Sequence, residues 1–208
     1  MAEREERDRI MEKARERFLH YGFAKVTLDE IASDLGMSKK TLYKHFASKE
    51  DLLKEVVRSI TRSLSERIEK VVSSDMPFEA KARKILTDIG TTLGTFSRYL
   101  QLDIQRYVPD LWVEIEEFRR QQILDKLDRM FRQGVRENVF RRDLNPEIFI
   151  LTFIGAVQGI INPTVLSQRS FSAAEAFSAI LGILFEGALS EGARQSVRMF
   201  DPPLSPSS

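Results

Sequence analysis

Residues 27–51, TLDEIASDLGMSKKTLYKHFASKED, decide the fold of this chain. Thr27 is followed three residues later by Glu30, and Ser48 three residues later by Asp51. In both pairs the first side chain can satisfy free N–H groups at a helix start while the acid reaches back, the capping-box arrangement. Gly36 follows an apolar-periodic segment, where a helix ends in a left-handed turn. Ser38 is then placed to cap the next helix. The stretch predicts two short helices around a tight turn, a helix-turn-helix over residues 27–46. From Leu35 to Lys49 there are four lysines, Lys39, Lys40, Lys44 and Lys49, and no carboxylate. A short helix held by one face and cationic on the other suits the major groove of DNA.

Outward from this stretch the pattern stays helical. No run shows clean period-2 alternation with turn signals, so the expected class is all-α. A first helix over residues 3–21 presents Ile10, Ala14, Phe18 and Tyr21 on one face, with Gly22 as its stop. A longer helix from Lys49 carries Leu52, Leu53, Val56, Val57, Ile60, Leu64, Ile68 and Val71. Pro77 suits the first turn of a helix reaching residue 97. A short helix over 99–107 and a long one over 110–137 follow. Asn145–Pro146–Glu147 supplies an N-cap, a first-turn proline and an acid near the positive helix end. That helix runs to residue 161, and a last one covers 172–190. The pattern predicts about nine helices. Residues 1–50 read as a three-helix DNA-binding head, 51–197 as a regulatory and dimerisation bundle, and 198–208 as a disordered tail.

Composition narrows the function classes. With 208 residues, 42% hydrophobic and 30% charged, the chain is ordinary for a globular protein. It has no cysteine, which excludes disulfides and thiolate metal sites. The densely charged N-terminus is no signal peptide, so a cytoplasmic location is expected. Formal net charge is +1, so affinity for nucleic acid must come from a local patch. Ile148 to Leu166 is free of charge and approaches the length of a membrane span. Gln158, Gly159, Asn162 and Pro163 interrupt it, and a helix buried in a core and a subunit interface explains it better. His20 and His45 are the only histidines, and no metalloprotease, nucleophile-elbow or phosphate-loop motif occurs. Glu116–Glu117 reads as a solvated helix face. Neither enzyme activity nor a metal or cofactor is expected.

Over residues 10–57 the chain resembles the TetR/AcrR family of transcriptional regulators. Phe18, Tyr21–Gly22, Thr27, Ile31–Ala32, Gly36, Ser38, Thr41–Leu42–Tyr43, His45–Phe46, Lys49 and Leu52–Leu53 fall where the family pattern places them. Lys39–Lys40 lies in a region that varies within the family, so no operator is carried over. Ile31, Ala32, Leu35, Leu42 and Phe46 are expected to pack the helices together. Thr27 caps the first helix of the motif and aims its N–H groups at a phosphate. Lys49, Tyr43 and His45 are expected to hold phosphates. Ser38, Lys39, Lys40, Thr41 and Lys44 are the candidates for base edges. Each has a plainer reading: a solvated lysine face, a helix-end histidine, a tyrosine covering core surface. Their joint order favours DNA.

The resemblance implies a homodimer through the last two helices. Small residues there agree with it: Gly155, Ala156 and Gly159, then Ala173, Ala174, Ala176, Ala179, Gly182 and Ala188. It also implies an effector pocket in the bundle. Candidates are Phe96, Tyr99, Tyr107, Trp112, Phe118, Phe131 and Phe153, with Gln122 and Gln158 as polar anchors; an aromatic stripe at helical spacing is also what a plain core looks like. Few charges are expected on the inward faces, which points to a largely apolar or aromatic effector. Arg98, Asp103, Arg106 and Glu114 are either charged anchors or water-facing. The expected function is a dimeric repressor released from a palindromic operator by that ligand. The alternatives are a ligand-independent or activating regulator, and a helical adaptor without DNA affinity.

Overall fold

A computed structural model describes residues 2–96 and 98–196; the expected tail over 198–208 lies outside the described residues. These residues form α1 (Ala2–Tyr21), α2 (Leu28–Asp34), α3 (Lys39–His45), α4 (Lys49–Val72), α5 (Phe78–Thr95) and α6 (Arg98–Tyr107). They continue as α7 (Pro109–Arg136), α8 (Pro146–Ile160), α9 (Pro163–Ser167), α10 (Ala173–Ala188) and α11 (Glu191–Ser196). The all-α expectation holds, and the expected nine helices become eleven among the described residues.

The two extra helices have local causes. Asn162 and Pro163 stop α8, but they also start a helix. The Asn162 side chain accepts the N–H of Val165 at 3.0 Å, and Pro163 fills the first turn of α9. Leu189 then leaves the helical region at φ −62° and ψ 141°, which ends α10. Ser190 Oγ accepts the Ala193 N–H at 3.2 Å and opens α11. No helix of the described residues is long and apolar enough to cross a membrane.

The chain divides into two compact units. The first gathers the residues up to Leu64 with Thr95–Ile115, and the second gathers Ser65–Gly94 with the residues from Glu116 on. In the first unit Ile10, Ala14 and Phe18 of α1 meet Ile31, Leu42, Phe46, Leu52 and Leu53, all at most 3% exposed. Leu100, Ile104 and Leu111 belong to the same core, each 1% exposed. The return of residues 95–115 to the head is therefore a packing requirement. Removing three such apolar side chains from water is worth about 1.5–3 kcal/mol each.

In the second unit, phenylalanine rings from α7, the loop after it, α8 and α10 build the core. Phe131 and Phe140 stack with centroids 5.2 Å apart, and Phe185 approaches Phe140 and Phe149 at 5.4 Å each. Phe153 of α8 meets Phe177 of α10 edge-on at 6.2 Å. Packing is uneven along α5. Phe78, Lys81 and Ala82 are buried, whereas Ile85, Leu86, Ile89 and Leu93 further along are only half-buried.

Candidate nucleic-acid interface

The segment 27–51 folds by local rules. The Thr27 hydroxyl accepts the Glu30 N–H at 3.2 Å, and a Glu30 carboxylate oxygen accepts the Thr27 N–H at 2.8 Å. This capping box sets the start of α2. Its hydrogen bonds to Thr27 hold the Glu30 carboxyl below the usual carboxylate range. Gly36 takes φ +64°, the left-handed conformation that a turn between two helices needs. Ser38 Oγ accepts the Thr41 N–H at 3.1 Å and begins α3. Ser48 Oγ accepts the Asp51 N–H at 3.0 Å and begins α4.

Three helix starts thus come together on one side of the first unit. A concavity of about 310 Å³ lies there, lined by Val26, Thr27, Leu28 and Asp29, by Lys39 and Tyr43, and by Ala47, Ser48 and Lys49. Uncapped N–H groups at helix starts attract anions. Ser38, Lys39, Lys40, Tyr43 and Lys44 are exposed on the outer face of α3, and Leu42 and Phe46 anchor its inner face.

The cations of this region differ in what holds them. Lys39 Nζ lies 2.9 Å from Asp29 Oδ1, and the hydrogen bond to Asp29 raises its pKa. Lys44 Nζ lies 3.2 Å from Glu3 Oε1. Both pairs are more than half exposed, and such pairs contribute only about 0–1 kcal/mol. Lys40 has no ion-pair partner among the described residues. By contrast, the His45 side chain is 4% exposed and its Nε2 lies 2.9 Å from Glu6 Oε2. Lys49 Nζ donates to the carbonyls of Phe23 and Val26, both at 2.9 Å, and stands 4.2 Å above the Phe23 ring. Burial lowers the Lys49 pKa, against the opposing pull of Asp103, Glu30 and Glu50.

His45 and Lys49, expected to hold phosphates, also have partners within the head, and Lys49 lines the concavity. The reason is geometric: α1 brings Glu6 to the end of α3, and the loop after α1 turns two carbonyls toward the start of α4. The same loop is tied from a third side. Asp103 Oδ2 of α6 accepts the Ala24 N–H at 2.8 Å. A Cβ on Gly22, itself at φ +81°, would meet that oxygen at 2.8 Å. Lys49 and Asp103 therefore fix the loop that carries Thr27. Asp103 has no sequence signal, being 79 residues from Ala24.

Comparison with known proteins agrees with this geometry. The family model described as "Bacterial regulatory proteins, tetR family" matches residues 10–56. Residues 10–56 carry this tetR-type regulatory domain. It is similar to the HTH-type transcriptional regulator YvaF of Bacillus subtilis, with 23% identity over 163 residues, 77% of this chain and 84% of that one. A transcriptional regulator from Cytophaga hutchinsonii shares the fold with a TM-score of 0.70 at 21% identity, over 87% of this chain and 97% of its own. A TetR/AcrR-family regulator from Thermobifida fusca aligns with a TM-score of 0.61 at 25% identity, over 87% and 97%. Both the curated relative and these solved structures are transcriptional regulators.

The nine effector-pocket candidates fall in both units. Phe96, Tyr99, Tyr107 and Trp112 belong to the first unit. Leu100, Ile104, Val108 and Leu111 turn into the head core, which leaves Tyr99 70% and Tyr107 46% exposed. Phe96 and Trp112 pack against that core. Phe118, Gln122, Phe153 and Gln158 belong to the second unit, where Phe153, like Phe131, is core. Few inward charges were expected, and two buried ones occur among the described residues. Lys81 and Lys126 are buried in the second unit, at 4% and 8% exposure. Glu116 is no solvated acid: it pairs with Arg119 at 3.0 Å, both side chains less than one quarter exposed. Asp103 and Glu114 serve the head, the latter through a hydrogen-bond pair to Arg58 at 2.7 and 2.8 Å.

Proposed function

We propose that this protein is a homodimeric TetR-family repressor that leaves a palindromic operator when a small molecule occupies its second unit. The observation that carries the DNA half is the exposed face of α3 beside the helix-start concavity. Phosphates enter the concavity at the starts of α2 and α4 and meet Thr27, Tyr43 and Lys39. Lys40, Thr41 and Lys44, with Ser38, face base edges. Opening the Lys39–Asp29 and Lys44–Glu3 pairs costs little, because exposed pairs are weak. His45 and Lys49 brace the head without touching DNA. The test is footprinting on genomic fragments at several salt concentrations. A Lys39/Lys40/Lys44 triple alanine variant that protects the same palindrome sinks the assignment of α3 as the reader.

The dimer is supported by the outer faces of α8 and α10. Ile148, Leu151 and Ile183 are 64%, 55% and 74% exposed. A Cβ at Gly155, Gly159 or Gly187 would meet nothing within 4 Å. Glycine inside a helix costs about 1 kcal/mol relative to alanine, and the chain's own packing gives no reason for it here. A second copy's α8 and α10 closing on this surface does. Two reading helices about 34 Å apart then face successive major grooves. The protein works in the cytoplasm, on the nucleoid. An effector acts by preferring one arrangement of the dimer, since only differential affinity moves an equilibrium. Operator affinity unchanged by every bound ligand ends the inducer reading and leaves DNA binding intact.

A further inference from the structure

Lys126 is the one buried cation of the described second unit that no backbone carbonyl or carboxylate holds. Its Nζ donates to Ser65 Oγ at 2.7 Å and, at close range, to Gln122 Oε1. Both partners are neutral side chains, and an ammonium has three N–H groups. No carboxylate lies within ion-pair distance among the described residues. Lys81, the other buried lysine, is different: its Nζ donates to the Val72 carbonyl at the end of α4, at 2.8 Å, and so has a structural task.

Lys126 does not stand alone. Arg119, Gln122 and Lys126 follow the i, i+3, i+7 spacing, so they share one face of α7. The Arg119 side chain is 24% exposed and has one carboxylate near it, Glu116. Glu69 and Asp125 pull on Lys126 only from beyond ion-pair distance, so its own contacts are all neutral. Burial lowers the pKa of both Lys126 and Arg119. An uncompensated buried charge is costly, and such charges gather where a ligand is received. The half-buried Ile89 and Leu93 of α5 lie in the same unit. Arg67 Nη2 of α4 donates to Thr92 Oγ1 of α5 at 3.2 Å, which sets this part of α5 beside the α4 turn holding Ser65.

We infer that the Lys126–Ser65–Gln122 cluster, with Arg119, receives the carboxylate headgroup of an amphiphilic ligand whose hydrocarbon tail lies along Ile89 and Leu93. The inference rests on the effector reading above and corrects its chemistry: the ligand is an anion with an apolar body. The carboxylate supplies the missing negative charge, accepts from the free Lys126 N–H, and turns a costly burial into a charge-assisted hydrogen bond.

The test is calorimetric titration of the full-length protein with straight-chain carboxylates from hexanoate to dodecanoate and with the alcohols of matching length. The acids are expected to bind on the order of tenfold tighter than the alcohols, as one charge-assisted hydrogen bond implies. Lys126→Met removes this preference and Lys126→Arg retains it; Lys126→Gln replaces the methionine variant if that one does not fold. Equal binding of acid and alcohol, no binding of either, or a preference that survives in the folded Lys126→Met and Lys126→Gln proteins overturns the inference. Acid binding that depends on Lys126 but leaves operator affinity unchanged upholds it and ends the inducer reading. Operator release by alcohols as effectively as by acids upholds the inducer reading and ends this one.

Discussion

Lys39, Lys44, His45 and Lys49 lie within a few turns of one another, and their partners separate them into two kinds. The exposed pairs of Lys39 and Lys44 open at a cost of about 0–1 kcal/mol, so either lysine can exchange its partner. Asp29→Asn is expected to release Lys39 and to strengthen operator binding by up to about fivefold at low salt, since the released pair is worth no more than that. Gel-shift titration checks this, and weakened binding refutes it. Lys49→Ala is expected to act differently. It leaves two carbonyls of the loop after α1 unsatisfied and should lower stability by about 1–3 kcal/mol. The slope of operator affinity against salt should not change, because no phosphate contact is lost. A slope reduced by about one returns Lys49 to the phosphate side. The sequence makes these lysines visible because α3 carries no acid of its own. Their partners were not visible, since Glu3, Glu6 and Asp29 come from other helices. Burial of His45 depends on how α1 crosses α3, which no local pattern encodes.

At the scale of elements, the helix starts are the most legible features, because a cap is a contact between residues two or three apart. Thr27, Ser38, Ser48 and Asn145 all cap as their spacing implies, and Ser172 caps α10 in the same way. Thr27→Ala is expected to cost about 1 kcal/mol of stability and to reduce operator affinity as well, because the cap also sets the first turn of α2 at the concavity. Thermal unfolding and gel shift measure the two effects separately. Stops are less legible. Asn162–Pro163 reads as a break, and only the structure shows the same pair starting α9. The role of α6 and the first turns of α7 was hidden too, since their apolar row fits a bundle as well as a head. Arg58 and Glu114 give this packing a pH signature. The hydrogen bonds from Arg58 hold the Glu114 carboxyl below the usual carboxylate range. A depressed carboxylate contributes stability that is present above its ordinary titration range and lost as pH falls through it. Glu114→Gln should therefore flatten the acid limb of the curve of melting temperature against pH and leave the neutral region little changed, the pair being partly exposed. An acid limb as steep as in the parent protein removes the Arg58–Glu114 pair from the account.

At the scale of the whole molecule, reading DNA as a palindrome needs two heads, and one chain supplies one. The outer faces of α8 and α10 offer what an isologous interface requires: exposed isoleucine and leucine beside glycines with open space above them. Ile183 is the sharpest probe, being 74% exposed on an otherwise apolar helix. In a two-fold interface each substitution acts twice. Burying an isoleucine is worth about 1.5–3 kcal/mol, so Ile183→Asp should cost the dimer at least about 3–6 kcal/mol before charge repulsion is added. That weakens self-association by on the order of a hundredfold to ten-thousandfold. Because the side chain points away from the monomer's own core, the isolated fold should keep its helix content and melt cooperatively. Sedimentation should then show monomers at concentrations where the parent protein is dimeric. Operator affinity should fall with it, since a lone head keeps its phosphate contacts but loses the second half-site. Gly155→Leu, which fills the open space on α8 without adding charge, should act in the same direction. If both variants remain dimers and bind the operator like the parent, the face formed by α8 and α10 is not the interface.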